Sequence, residues 1–90
     1  MRIDRFLYCI RLIKSRTLAQ ALIETGHVRI DRKRVDKPSA EVRVGSVIAV
    51  PLNDRVRILR VLALPNRRGP AAAARLCYEE LGIDAESPAK

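Results

Sequence analysis

Among its 90 residues the chain has no tryptophan, one phenylalanine, two tyrosines, two cysteines and one histidine. Each scarcity closes a route. With so few rings, stacking on splayed bases is a minor way to hold a nucleic acid. The single histidine, His27, has no partner at metal-ligand spacing, and Cys9 and Cys77 form no CxxC pair, so a zinc-built or disulfide-built domain is not expected. Both cysteines sit in apolar, helix-like surroundings and read as buried free thiols of a reducing compartment. No apolar run approaches the roughly 20 residues that cross a bilayer, and no leader pattern opens the chain. The expectation is a cytoplasmic protein without membrane contact.

Catalytic sets are missing as well. No Ser, His and Asp combination is evident, no glycine-rich phosphate loop follows a strand, and no cofactor or metal motif appears. Glu79 and Glu80 are neighbours and read as solvated helix surface. Ninety residues make one small domain that buries roughly 60 to 65% of its unfolded surface, with little room for a cleft. The chain is expected to bind rather than to catalyse.

What it has is positive charge: 18 Lys and Arg against 10 Asp and Glu, a net of +8. Such a balance favours polyanions. Most of it lies early, because ten basic and four acidic side chains fall between Arg2 and Lys37. From residue 65 onward the signs cancel.

The apolar spacing of Ile3, Leu7 and Ile10, broadened by Phe6, Cys9 and Ile13, predicts an amphipathic helix over residues 3–13. Asp4 sits in its first turn, where a carboxylate suits the helix dipole. Ser15 is a good N-cap for a second helix, and Leu18, Ala21, Leu22 and Thr25 form its expected inner face with Ile23 at the edge. Gly26 fits the left-handed position that ends helices. The start of this helix puts Arg16, Thr17 and Gln20 where charge, hydroxyl and backbone N–H can meet a phosphate.

Val28 and Ile30 alternate with Arg29 as a strand with one basic side. Residues 31–34 read as a turn, with Val35 starting a return strand. Val42 and Val44 alternate around Arg43, Gly45-Ser46 marks a turn, and residues 47–50 read as a strand ended by Pro51. Asn53-Asp54 is a hairpin signal. Residues 55–64 read as a long strand in which neither alternating set is purely apolar. After a loop over residues 65–70, Pro70 at the first helical position and Ala73, Leu76, Cys77, Glu80 and Leu81 predict a last helix, stopped by Gly82. The expected organisation is a domain over residues 1–64, a loop and C-terminal helix packed on it over 65–83, and a frayed tail over 84–90.

Five blocks carry a resemblance: Arg2-Ile3-Asp4-Arg5-Phe6-Leu7, Ser15-Arg16-Thr17-Leu18-Ala19, Gly26-His27-Val28-Arg29-Ile30, Lys37-Pro38-Ser39 and Gly45-Ser46-Val47-Ile48. In this order they resemble the S4 domain, a small RNA-binding domain named for a ribosomal small-subunit protein. Arg67-Arg68-Gly69-Pro70, the alanine run and Leu76 to Glu80 resemble the bacterial heat shock protein 15 family. The short length and Arg11-Leu12-Ile13-Lys14 resemble its compact relative, the ribosome-associated quality-control S4 protein. The resemblance implies an α+β, S4-like (alpha-L) fold, two N-terminal helices on a small, mainly antiparallel sheet plus the C-terminal helix. It also implies an RNA-binding monomer acting on free large ribosomal subunits that carry peptidyl-tRNA, touching large-subunit rRNA and the tRNA.

The chain departs from the pattern in three ways. Asp31-Arg32 stands where Asn-Gly is frequent, and a two-residue turn with positive φ suits Arg poorly, so a longer or bulged hairpin is expected. The first helix has Phe6 and Tyr8 but no Trp. The long basic tail of many heat shock protein 15 members is absent.

Phosphate contacts and RNA shape should therefore dominate. The candidate RNA-binding residues are Arg2, Arg5, Arg11, Lys14, Ser15, Arg16, Thr17 and Gln20 on the helical corner. Arg29, Arg32, Lys33, Arg34 and Lys37 follow on the hairpin side, with His27 between the groups. Ser15 is a cap first and a ligand second. Two alternatives remain open: a helix-turn-helix binding DNA, and an accessory RNA-binding domain of an rRNA-modifying system.

Overall fold

The apolar stripe of the first helix is the floor on which the other elements pack, with Ile3, Phe6 and Leu7 fully buried. A computed structural model describes residues 1–84. Its elements in order are α1 (Ile3–Cys9), α2 (Arg16–Glu24), β1 (Val28–Ile30), β2 (Lys33–Val35), β3 (Val47–Leu52), β4 (Arg55–Val61), α3 (Ala71–Arg75) and β5 (Tyr78–Asp84). The strands form one antiparallel sheet in the order β2-β1-β3-β4-β5. Val28, Ile48, Val50, Leu59 and Val61 meet the helices in a core that also takes in Ala74 and Cys77. The architecture is α+β, as expected.

The first helix is shorter than its apolar spacing suggests. Arg11 turns left-handed at φ 64°, and the N–H groups of Leu12 and Ile13 both return to the Leu7 carbonyl. Residues 10–14 are therefore a compact turn, although Ile13 stays buried. At the other end, Ile3 and Asp4 donate their N–H groups to the carbonyls of Ala40 (2.7 Å) and Pro38 (3.3 Å). These would otherwise be orphan donors of a helix start. Val42 is fully buried beneath this strap and Val44 is exposed, so the alternation around Arg43 is not a strand.

Ser15 caps α2 as expected, its hydroxyl accepting the Leu18 N–H at 3.1 Å. Gly26 ends it at φ 82°, a conformation that glycine adopts without strain. The buried face differs from the expected one. Ala19 and Ile23 point inward, while Leu18 is 53% exposed. Five apolar side chains in eight positions allow either rotation of the helix, and the small Ala19 is the one that lets α2 approach α1.

Two further expectations change. The β1–β2 hairpin is tight, pairing Ile30 with Lys33 across Asp31-Arg32, both at positive φ (50° and 72°). Asp31 holds this turn from outside the hairpin, since its N–H donates to the Val47 carbonyl and its carboxylate accepts the Val47 N–H. β3 continues through Pro51 to Leu52, beyond Ala49, where β1 no longer pairs with it. A proline is tolerated on such an edge. The Asn53-Asp54 hairpin forms as expected, with φ 51° and 66°.

The C-terminal helix is only five residues long, and Pro70 is its N-cap rather than its first residue. Residues 78–84, expected to prolong the helix or follow it as a frayed end, form the edge strand β5 instead. Arg60 and Glu79 meet at 3.0 Å, and Arg57 meets Glu80 at 2.5 Å, so the glutamates are ion-pair partners of β4. Asp84 closes β5, and the rest of the expected frayed tail, residues 85–90, lies outside the described residues. Among the described residues no helix is long and apolar enough to cross a membrane.

Candidate nucleic-acid interface

Asp4 is the hub of the helical corner. Its carboxylate is fully buried and accepts from four groups. Arg2 donates through Nε and a terminal nitrogen at 3.1 Å each, Gln20 at 3.0 Å, Arg16 at 3.3 Å and the Arg5 backbone N–H at 2.7 Å. Burial pushes this carboxyl up, and the hydrogen bonds from Gln20, Arg2, Arg16 and the Arg5 N–H outweigh it and hold it below the usual carboxylate value. The buried charge is thus compensated from several sides, as a buried carboxylate must be.

The geometry follows from local rules. Arg2 is the N-cap residue of α1 in an extended conformation, so its side chain folds back over the first turn. Arg16 and Gln20 are four apart on α2 and share a face. Both guanidinium groups are only partly covered, with side-chain exposures of 46% for Arg2 and 42% for Arg16. Their remaining N–H groups face solvent in a fixed orientation. Sequence reading gave Asp4 only a dipole role and missed this hub. The signal was there in Arg-x-Asp at one helix start and Arg-x-x-x-Gln at the next.

The other candidates fall into separate groups. Lys14 and Thr17 are exposed at the corner, and neither side chain has a hydrogen-bond partner among the described residues. Arg5 and Arg11 face the opposite flank, where Arg5 donates to the Asn66 carbonyl and Arg11 to the Gly69 carbonyl at 2.6 Å. Arg68 completes this clamp, donating to the Tyr8 carbonyl at 3.2 Å with its guanidinium 4.8 Å from the Tyr8 ring centre. These contacts tie residues 65–70 to α1 and give Tyr8 a cation–π partner.

On the hairpin, Arg29 and Arg34 stand directly opposite each other, and Arg29 also reaches the Arg32 carbonyl. Arg32, Lys33 and Lys37 are exposed, and none of the five hairpin-side cations has a salt-bridge partner among the described residues. Arg34 lies across Gly26, where a Cβ would meet its guanidinium only in ordinary van der Waals contact, so glycine is favoured there by its φ of 82°. His27 is exposed, its backbone N–H donating to the Thr25 hydroxyl. Lys37 precedes Pro38, which caps α1, and so neighbours the Asp4 hub. The α2 start and the base of the β1–β2 hairpin lie toward opposite ends of the nine-residue α2, itself about 13 Å long, and the hairpin tip lies further along β1.

Among the described residues there is no group of three His, Cys, Asp or Glu side chains placed to hold an ion. Cys9 and Cys77 are buried and free as expected, and burial, with Cys9 beside it, pushes the Cys77 thiol up.

The S4 domain model matches residues 1–48. Heat shock protein 15 of Escherichia coli (strain K12) is 33% identical over 90 residues, covering 100% of this chain and 67% of that protein. Small ribosomal subunit protein uS4 of Limosilactobacillus fermentum is 49% identical over 49 residues, covering 54% of this chain and 24% of that one. The solved Vibrio cholerae heat shock protein 15, described as trimeric, superposes with a TM-score of 0.83 at 29% identity, covering 89% of this chain and 80% of that chain. This chain spans 60% and 67% of the length of two heat shock protein 15 relatives it matches. The chain therefore belongs to the S4 domain family of RNA-binding proteins, with heat shock protein 15 proteins as relatives over most of its length.

Proposed function

We propose that this protein is a non-catalytic factor that binds rRNA and tRNA on free large ribosomal subunits still carrying peptidyl-tRNA, in the recycling or quality control of stalled translation. The observation that carries the reading is the pairing of two cationic groups. Arg2 and Arg16 are aimed by a buried carboxylate, and the hairpin cations have no acidic partner among the described residues. Phosphates are the ligand that fits both, and their spacing along a structured RNA fits two groups better than one. Residues 1–64 form the binding domain in this reading, with residues 65–70 bracing α1 from behind and β5 extending the sheet. The protein acts as a monomer in the cytoplasm, without a membrane partner.

Sedimentation of cell extracts through a sucrose gradient tests the assignment. The protein should travel with free large subunits, and more so after translational stalling. Recovery only in the ribosome-free fractions under both conditions would overturn it. Competition at one salt concentration between structured rRNA and duplex DNA should favour the RNA.

A further inference from the structure

Between the helical corner and the β3–β4 hairpin runs a groove of about 620 Å³, to which Lys14 alone of the candidate RNA-binding residues belongs. That volume is within the range of small-ligand sites, roughly 300 to 1,000 Å³. Leu18, Leu22 and Leu52 line it, with Lys14, Arg55 and Asn53 along its rim. Leu18 is more than half exposed, while Ala19 and Ile23 take the buried face of α2. Arg57, deeper in, is neutralised by Glu80, whereas Lys14 and Arg55 have no salt-bridge partner among the described residues. The groove is thus apolar inside and cationic at its mouth.

We propose that this groove receives an unpaired RNA nucleotide, its base against the leucines and its phosphates on Lys14 and Arg55. The proposal rests on the RNA-binding reading above and deepens it. Three features select a nucleotide. The faces of a base are apolar and its backbone anionic, matching the order of floor and rim. Lys14 belongs to both the groove and the corner, so a strand leaving the Arg2 and Arg16 site reaches the groove without a gap. The Asn53 amide, which also lines the groove, supplies one acceptor and two donors for a base edge. The groove would provide the grip on a splayed base for which the chain has too few aromatic rings, and it would favour loops over duplexes.

The test compares a hairpin RNA bearing an unpaired loop with a fully paired RNA duplex, using the full chain. Wild type should prefer the hairpin RNA. Leu18→Gln keeps helix propensity and should lower hairpin affinity about five- to tenfold while leaving duplex affinity and melting unchanged. Arg55→Ala should reduce the salt slope on the hairpin by about 0.7 and leave it unchanged on the duplex. Equal hairpin affinity for wild type and Leu18→Gln would overturn the groove assignment and leave RNA binding standing. Leucine methyl signals that shift with an acidic amphipathic peptide, and not with the hairpin RNA, would overturn it in favour of a protein partner. Failure of wild type to bind either RNA would remove the functional reading itself, and the groove proposal with it.

Discussion

The Arg16 guanidinium lies 3.3 Å from the Asp4 carboxylate, which joins the start of the second helix to the first turn of the first. Arg16 therefore locks two helices together, and in the proposed function its outer N–H groups also meet RNA phosphate. Asp4→Asn should separate them. The amide retains the shape but loses the charge, and stability should fall by about 2 kcal/mol, moderated because both arginines are partly solvated. Denaturant midpoints would measure it, and RNA affinity should fall as well, because Arg2 and Arg16 lose their fixed aim.

The same carboxylate sets a pH dependence. Its value in the folded protein is depressed, so its contribution is fully present above the unfolded value, near pH 3.9, and is lost as pH falls through the folded value. The stability gap between wild type and Asp4→Asn should be constant from pH 7 to about 5 and close below about pH 4. A gap that persists unchanged at pH 3 would deny the charge its role.

Arg16→Ala should weaken RNA binding and lower the slope of log affinity against log salt by roughly 0.7 to 0.9, with a loss of stability alongside. Replacing Lys33 and Lys37 by Ala should lower the slope by about twice that and leave melting unchanged, since neither side chain has a salt-bridge partner among the described residues. The contrast between the variants, read from titrations at several salt concentrations, separates anchoring from contact.

Ser15→Ala removes the acceptor of the Leu18 N–H and should cost about 1 kcal/mol of stability. RNA affinity should be nearly unchanged once measured well below the melting temperature. A large loss of affinity with unchanged melting would make Ser15 a ligand.

Arg32 sits at φ 72°, where a side chain is unfavourable by about 1 to 2 kcal/mol. Arg32→Gly should therefore stabilise the protein by about 1 kcal/mol and lower the salt slope. Thermal melting and salt titration of this one variant should move in opposite senses, which marks a position held by its ligand rather than by its fold.

The legible parts of this molecule were the local ones. Ser15, Gly26 and Asn53-Asp54 declare their caps and turns through their own chemistry, and α2, β1 and the β3–β4 hairpin stand where those residues put them. The tight Asp31-Arg32 turn was missed because its support comes from Val47, sixteen residues on. β5 was missed because Glu79, Glu80 and Leu81 are good helix formers, and only the exposed edge of β4, with Arg57 and Arg60 waiting for carboxylates, makes a strand of them. Likewise, no pattern within α1 or α2 alone shows that Arg2, Arg16 and Gln20 converge on one carboxylate. Long-range satisfaction of charge is what a one-dimensional reading sees least.

Arg29 and Arg34 are like charges on directly opposed hairpin positions, and such a pair is expected to loosen the strands it joins. An anion lying over them removes that repulsion, so whatever binds there also tightens the β1–β2 edge. Affinity and local rigidity are then one quantity measured in two ways. If the hairpin binds RNA as proposed, amide exchange there should slow on binding and so gauge occupancy directly.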